Sequence, residues 1–287
     1  MNMPASPRAT AIAVGQRLHA KSAELLVSLE GGLPRIMTWW FVAAMLGSAL
    51  RIAVSPLGAA PDLETYLPYL LLVTAPLLSM ALALRWFRDG DGLAQPVTRL
   101  AIVGRWRNVG AREAKAHPLY GTSGVMVSLL VGMLLNVPVR ALEYLAAMPA
   151  LSGRVPEWLS TLHIAMTLDV VLLSSLYTIA FVAALRRVPL FPRLLAAIWL
   201  IDIAMQLGIA VAVERTDGLP PQVATALHAL LDGNVKKVMI SACLWLPYLL
   251  LSRRVNVTYR HRVRAGPERV SDSEAANRTK HRLDSDK

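Results

Sequence analysis

The chain has 287 residues, of which 55% are hydrophobic and 17% are charged, and its formal net charge at pH 7 is +11. In a soluble domain about a quarter of the residues are charged, so this composition favours a membrane protein over a large soluble core. The single cysteine, Cys243, excludes an intrachain disulfide and a CxxC metal or redox site.

Six apolar stretches approach or exceed the roughly 20 residues that cross a bilayer. Prolines precede the first, third and fifth of them, and proline suits the first turn of a helix because that N–H has no helical partner. The predicted spans are 36–54, 65–84, 124–139 with a helical extension through residue 148, 160–185, 194–213 and 235–251. We therefore predict an all-α integral membrane protein with six transmembrane helices in three hairpins.

Lysines and arginines are distributed unevenly between the segments that join the spans. If the N-terminus is cytoplasmic, 24 of the 30 lysines and arginines fall on the cytoplasmic side. Basic residues are enriched in cytoplasmic loops, so both termini are predicted to be cytoplasmic. This orientation explains the basic residues better than a nucleic-acid-binding face does, and we predict no nucleic-acid partner.

The spans divide the chain into four parts. Residues 1–35 form a cytoplasmic segment in which leucines among polar residues, over 9–30, favour an interfacial amphipathic helix. Residues 36–121 form the first hairpin and a basic loop, and residues 122–260 form a four-helix membrane domain. Residues 261–287 are polar and basic, and we predict a disordered cytoplasmic tail.

Two carboxylates lie well inside the predicted spans. Asp169 is about 13 Å from the start of the fourth span and Asp202 is about 12 Å from the start of the fifth, so both fall near the midplane. Gln206 is four residues after Asp202 and shares its helix face. A charge at mid-bilayer costs about 2.5–3.5 kcal/mol on insertion scales, so such residues usually face protein or water. The three residues form the predicted intramembrane polar cluster.

Three interpretations of the aspartates are open. They form an interhelical hydrogen-bonded clamp, or a proton- or cation-binding pair on a transport route, or they pair with Lys236 or Lys237. Arg140 is assigned to the outer side of the membrane, where Glu143, three residues further on, is predicted to be its ion-pair partner.

Small residues on two helices predict close helix packing. On the fifth predicted helix, Ala204, Gly208 and Ala212 lie nearly opposite Asp202, which predicts that this helix is central, with little lipid contact. Ala43 and Gly47 predict a similar close contact on the first helix.

Motifs for catalysis or cofactor binding are absent from the sequence. There is no HExxH, phosphate-binding loop or GxSxG, and the DGDG at 89–92 lacks the later ligands of a calcium loop, which favours a turn. His163 and His228 fall toward the outer side, where capping or interface roles are favoured over axial ligation of a haem. We predict no catalytic residue, no cofactor, no metal site and no enzymatic activity.

The end of the last span resembles a known family signature. Residues 243–259, CLWLPYLLLSRRVNVTY, resemble the closing signature of a bacterial inner-membrane family of unknown function, the YdgK-like proteins. The matching residues are Trp245, Pro247, Tyr248, Ser252, Arg254, Val255, Thr258 and Tyr259. The similarity covers roughly 122–260. It implies four helices in a bacterial inner membrane, and no activity, cofactor or catalytic residue.

These observations lead to two functional hypotheses. The first is a non-enzymatic scaffold or partner-binding protein of the bacterial inner membrane, which packs with itself or with another membrane protein. The second is a small-solute or ion transporter that uses Asp169 and Asp202. In both, the predicted partners are the lipid bilayer and, at the cytoplasmic face, anionic lipid headgroups that the basic segments attract.

Overall fold

The computed structural model describes residues 7–56, 63–99 and 103–265, with side chains described from residue 21 onward. Its elements in chain order are α1 (Pro7–Val54), α2 (Leu63–Trp86), a 3-10 turn (Gly90–Gly92), β1 (Trp106–Asn108), α3 (Ala111–Ala116), α4 (Val125–Ala147), α5 (Glu157–Leu185), α6 (Phe191–Glu214), α7 (Pro221–Leu251), α8 (Arg253–Arg260) and β2 (Arg262–Arg264).

Six of these helices are long and apolar enough to cross a membrane: α1 from residue 21, α2, α4, α5, α6 and α7. The predicted all-α class and the six candidate spans are therefore confirmed. Several helices are longer than the predicted spans, and α7 begins at Pro221 rather than near residue 235. The three-hairpin arrangement and the cytoplasmic location of the termini stay predictions.

The first helix differs from its prediction. A separate interfacial helix over 9–30 was expected, followed by a span that starts after Pro34, but α1 runs without a break through both. A helix of 48 residues is about 72 Å long, so it extends well beyond a hydrocarbon core of roughly 30 Å. Pro34 removes only one helical hydrogen bond, and packing of Leu33 and Leu26 against the core offsets that loss.

The centre of the bundle is α5, which packs against α2, α4 and α6. The small residues of α6 predict this position for α6 instead, but Ala204 and Gly208 are exposed, and no described atom outside the α6 backbone and the adjacent residues lies within 4 Å of a Cβ placed on Gly208. On α1 a close contact is present at Gly47, because a Cβ there would lie 2.9 Å from Leu145 of α4. Ala43, its predicted companion, is exposed.

One end of the bundle carries a small folded layer, which we call the cap: residues 86–99, β1, α3, 117–124, α8 and β2. Four family-signature residues hold α8 in it. The Ser252 side chain accepts a hydrogen bond from the backbone of Val255 at the start of α8. Arg254 donates to Ser123, Thr258 accepts from the Gly121 amide, and Tyr259 donates to the Ala184 carbonyl. The basic segment that follows α7 is therefore part of a packed structure.

The cap also contains the start of the predicted tail. β2 pairs antiparallel with β1, and the side chain of Arg262 donates to Asn108 at 2.9 Å. The boundary predicted at residue 261 therefore lies too early, because the backbone of β1 offers hydrogen-bond partners that the sequence of the tail does not reveal. Residues 266–287 lie outside the described residues, and their predicted disorder stays a prediction.

The DGDG segment is a turn in the cap, as the sequence favours. Asp91 pairs with Lys115 at 2.9 Å and lies 4.0 Å from Arg187. Gly90 is needed for a close backbone approach, because a Cβ there would lie 2.7 Å from the Arg186 carbonyl oxygen. Among the residues that the structure describes, no group of three or more His, Cys, Asp or Glu could hold a metal ion.

The cap should lose stability on acidification. Burial, together with the nearby cations Arg99 and Lys115, lowers the pKa of His261 below its ordinary value of about 6.5, although Asp91 acts in the opposite direction. Between the folded and unfolded pKa values the unfolded chain binds more protons, so stability falls as pH drops below about 6.5. Thermal unfolding at about pH 7.5 and about pH 5.5 measures this loss.

The matched variant for this test is His261→Asn. His261 has a φ of 46°, a conformation that asparagine tolerates better than most residues, so the variant removes the titration without adding backbone strain. We expect a smaller loss of melting temperature at the acidic pH in His261→Asn. His228→Asn, at an exposed position, should respond to pH as the natural protein does. An unchanged pH response in His261→Asn would contradict the assignment.

Candidate functional site

A buried arginine joins the two aspartates within the membrane-spanning part of the bundle. Arg140 of α4 donates from Nη1 to Asp169 Oδ2 of α5 at 2.8 Å and from Nη2 to Asp202 Oδ2 of α6 at 2.7 Å. One guanidinium therefore connects three helices by charge-assisted hydrogen bonds, which are shorter and stronger than neutral ones. We call this group, with Gln206, Tyr177 and Asn234, the ion cluster.

Amide and phenol side chains complete the ion cluster. Gln206 Nε2 donates to Asp169 Oδ1 at 2.9 Å and lies 3.5 Å from Asp202 Oδ1. Tyr177 donates to Asp202 Oδ2 at 3.0 Å, and Asn234 of α7 donates to Gln206 Oε1 at 3.2 Å. Four helices, α4 to α7, thus contribute to one network.

Burial makes the charges of the ion cluster costly to leave unpaired. Arg140, Asp169 and Asp202 are 9%, 5% and 0% exposed. With both carboxylates ionised, the formal charge of these three side chains is one positive and two negative, a net of −1. In a low-dielectric interior such an imbalance favours the uptake of one positive charge, a proton or a cation.

The structure assigns different partners to several residues of the sequence analysis. Arg140 was expected to pair with Glu143, but Glu143 pairs with Lys237 of α7, and Arg140 turns inward to the aspartates. Lys236 pairs with Asp232 one turn away. Neither lysine bonds to Asp169 or Asp202. The guanidinium binds both aspartates because its fork satisfies two carboxylates at once, whereas each lysine pairs with a carboxylate outside the ion cluster.

Three members of the ion cluster, Arg140, Tyr177 and Asn234, are not predicted from the sequence. A signal for Arg140 existed, since apolar residues continue the helix well past it, and α4 extends to Ala147. Asn234 was missed because the last span was started one residue after it. Tyr177 carries no signal in the sequence, because a tyrosine inside a span is also an ordinary core residue.

The two histidines considered for haem are not brought together. His163 is buried on α5, 3.4 Å from the Tyr144 hydroxyl, and it lies two turns from Asp169 on the same helix. His228 is exposed on α7 and pairs with Glu214 at 2.9 Å.

A pocket of about 300 Å³ adjoins the ion cluster between α4 and α7. Its polar lining includes Arg140, Asp202, Tyr177 and Asn136, and its apolar lining includes Leu129 and Trp199. Lys237 and Glu143 also line it, so their ion pair connects the two helices that border the pocket. A space of this volume, with convergent polar groups on an otherwise apolar lining, is typical of a site for a small ligand.

The bundle and its buried ion cluster define the class of multi-pass membrane proteins with intramembrane charged residues. Within this class, residues 121–260 match the family described as "Protein of unknown function (DUF2569)". The match covers α4 to α8 and the signature residues of the last span, so the resemblance to a family of unknown function is shown for this segment. The narrower YdgK-like naming stays a prediction. No curated protein and no solved structure matches the chain.

Proposed function

We propose that this protein is a non-enzymatic transporter of a small solute or ion, with Asp169 and Asp202 as its essential intramembrane carboxylates. The observation that carries the proposal is the pocket between α4 and α7, because its polar end is formed by the ion cluster. Buried ionisable residues inside a membrane are costly, and those that adjoin a cavity typically mark a substrate or ion pathway. The net charge of −1 gives such a pathway its preference for a positive charge.

The proposed location is a bacterial inner membrane with both termini in the cytoplasm. The excess of basic residues at the cap end and in the terminal segments supports this orientation. The cap would then lie at the cytoplasmic face, where Arg85, Arg88 and Arg253 are positioned to contact anionic lipid headgroups. Accessibility of terminal tags in spheroplasts tests the orientation, and a tag reached from the periplasm would contradict it.

Asp202→Asn is expected to abolish transport while the protein stays folded. The amide keeps the shape of the carboxylate but removes one negative charge, so the cluster no longer favours a positive charge. The measurement uses full-length protein in liposomes. A panel of inorganic cations and small organic ions of both signs is applied, and transient currents and internal pH are recorded.

The matched control is Asp232→Asn, an exposed carboxylate on α7 that pairs with Lys236 outside the cluster. It should transport as the natural protein does. If no solute gives a protein-dependent current or pH change, the transport proposal fails. If Asp202→Asn transports normally, the ion cluster is not part of the pathway.

A scaffold or partner-binding protein is the second candidate. It is favoured by the hydrogen bonds from Arg140 to both aspartates, because a structural clamp requires such bonds between helices. The exposed small residues Ala204 and Gly208 of α6 offer a face on which a second copy or another membrane helix would pack closely. Under this function, Asp169→Asn and Asp202→Asn leave partner binding intact, which separates it from transport.

A further inference from the structure

A second polar region leads toward Asp169 from the end of the bundle opposite the cap. A pocket of about 770 Å³ lies there between α2 and α5, beside the 151–155 loop. Glu64, Arg154, His163 and Thr167 contribute to its lining. Glu64 and Arg154 offer hydrogen-bond partners to water in this pocket, and His163, which is buried, belongs to the same lining.

The next group inward is the hydroxyl of Tyr144. It lies 3.4 Å from His163 Nε2 and 2.8 Å from Thr167 Oγ1. Thr167 donates its own hydroxyl hydrogen to the His163 carbonyl at 2.7 Å, so Tyr144 is the donor to Thr167. A relay through Tyr144 then needs two changes: its oxygen accepts a proton from the histidine side, and its own hydroxyl hydrogen leaves Thr167 and passes inward.

Beyond Tyr144 lies a cavity of about 10 Å³ lined by Tyr144, Arg140, Asp169 and Asn234. This volume accommodates about one water molecule. Arg140 is 9% exposed, and its Nε is buried with no hydrogen-bond partner among the described residues. The cavity therefore has an unused donor and a carboxylate acceptor, the polar partners that a single water requires.

We infer that the ligand of the ion cluster is a proton, and that it reaches Asp169 by way of His163, Tyr144 and the cavity beside Arg140. The inference rests on the proposed transport function and names its ion. Arrival of the proton forms an O–H bond on the Asp169 carboxylate and brings the cluster from a net charge of −1 to neutrality. Each relay group accepts one proton and releases another, so no other bond changes.

Other ionisable groups surround this route on every helix packed against it. Arg140 is the cation in direct contact with Asp169, and Asp202 is the carboxylate that competes for it. The groups facing the route are Glu64 and Tyr69 of α2, Arg140, Glu143 and Tyr144 of α4, Arg154 of the 151–155 loop, His163 and Tyr177 of α5, Asp202 of α6 and Lys237 of α7. Glu143 and Lys237 neutralise each other, so the unbalanced charge lies on the two aspartates.

The route is tested by proton influx into liposomes that contain the full-length protein and a trapped pH-sensitive dye, with a potassium diffusion potential as the driving force. Tyr144→Phe removes the relay hydroxyl and little else. We expect the influx to fall on the order of a hundredfold, which is what a positioned proton-transfer group typically contributes. An unchanged influx in Tyr144→Phe would overturn the route.

Tyr69→Phe is the matched control. Tyr69 is also buried, packs edge-on against Tyr144 with ring centroids 6.3 Å apart, and carries a hydroxyl without a hydrogen-bond partner among the described residues. It lines neither the cavity nor the outer pocket, so its loss should leave proton influx unchanged. An equal fall in both variants would show that packing, rather than the hydroxyl, is what matters, and would overturn the inference.

Infrared difference spectra of the same protein between acidic and alkaline buffer give a readout that does not depend on transport. We expect the C=O band of a protonated carboxyl, which is lost in Asp169→Asn and kept in Asp232→Asn. Absence of the band overturns the proton site. A band without any proton influx overturns the transport function and the route, and leaves the proton site standing. If another solute carries currents and the band is absent, the transport function stands and the assignment of the proton as its ligand is overturned.

Discussion

Arg140→Leu is expected to destabilise the folded protein by about 3–5 kcal/mol, which is the usual cost of removing one partner of a buried ion pair. The substitution leaves Asp169 and Asp202 facing each other without their shared cation, and both are almost fully buried. Gln206 and Tyr177 still donate hydrogen bonds to them, but neutral donors do not balance two like charges. Thermal unfolding of the purified protein in lipid nanodiscs measures the loss.

A compensating variant separates the loss of charge balance from the loss of packing. Arg140→Leu combined with Asp169→Asn and Asp202→Asn removes all three charges, and neutral replacement of a buried ion network is often tolerated well. We expect this triple variant to unfold at a higher temperature than Arg140→Leu alone. Lys236→Met, which breaks an exposed pair one helical turn apart, should change stability by less than about 1 kcal/mol. A melting temperature for Arg140→Leu equal to that of the natural protein would show that the guanidinium does not hold the two carboxylates.

This experiment also bears on the two proposed functions. A clamp needs the three charges only for cohesion, so the triple variant would restore a scaffold. A transporter needs the imbalance between one cation and two anions, so the triple variant would fold without transporting. Stability and transport therefore respond differently to the same variant.

Several features of the bundle are predictable from the sequence because each depends on local composition. A hydrophobic stretch of about 20 residues is recognisable from its length and composition alone, and six such stretches correspond to the six candidate spans. The contact between Asp202 and Gln206 follows from helical spacing alone. That Asp169 lies beside them follows in part from depth, since both aspartates were placed near the midplane.

Arg140 shows why the rest of the ion cluster could not be predicted in the same way. Its position just after the apolar stretch at 124–139 suggests the membrane edge, where a long basic side chain normally turns outward. Its actual direction depends on which helix face meets α5 and α6, and that is a property of tertiary packing. Its preference for two aspartates over Glu143 could be seen only once the helices were positioned.

The position of α6 is predicted wrongly from its small residues, which indicate a central helix. Small residues permit close packing but do not require it, and the exposed face of Gly208 shows a small-residue stripe that this chain does not use internally. α5 occupies the centre because it carries apolar side chains on nearly every face. The same pattern also fits an ordinary hydrophobic span. Sequence periodicity therefore distinguishes faces poorly when almost every residue in a helix is apolar.

The cap was missed for a related reason. Its strands have three residues each, and α8 has eight, so none of them carries a periodic pattern long enough to recognise. Four residues of the family signature, Ser252, Arg254, Thr258 and Tyr259, make the contacts that hold α8. The physical meaning of the signature became visible only through contacts with segments more than 70 residues away in sequence, such as Ala184 and Gly121.

Tyr259→Ala is expected to destabilise the cap by about 3–5 kcal/mol, the range for removal of a large buried aromatic side chain. Tyr259 is 1% exposed, its ring centroid lies 5.0 Å from that of Phe191, and its hydroxyl donates to the Ala184 carbonyl at 2.8 Å. The substitution leaves a cavity where α8 meets the ends of α5 and α6. Hydrogen exchange of the β1 and β2 amides, followed by mass spectrometry, measures the loss where it occurs.

Two further variants separate the ring from the hydroxyl and from general effects of tyrosine loss. Tyr259→Phe keeps the aromatic packing and removes one hydrogen bond, so it should cost about 1 kcal/mol. Tyr66→Ala, at a 45% exposed position near the start of α2, should leave exchange in the cap unchanged. Because α8 is held to the bundle through Tyr259, Tyr259→Ala should raise exchange in β2 and α8 together, while exchange in α4 and α5 stays slow. Protection of β2 as strong as in the natural protein would mean that the ends of α8 are held by Arg254 and Thr258 without help from the aromatic ring.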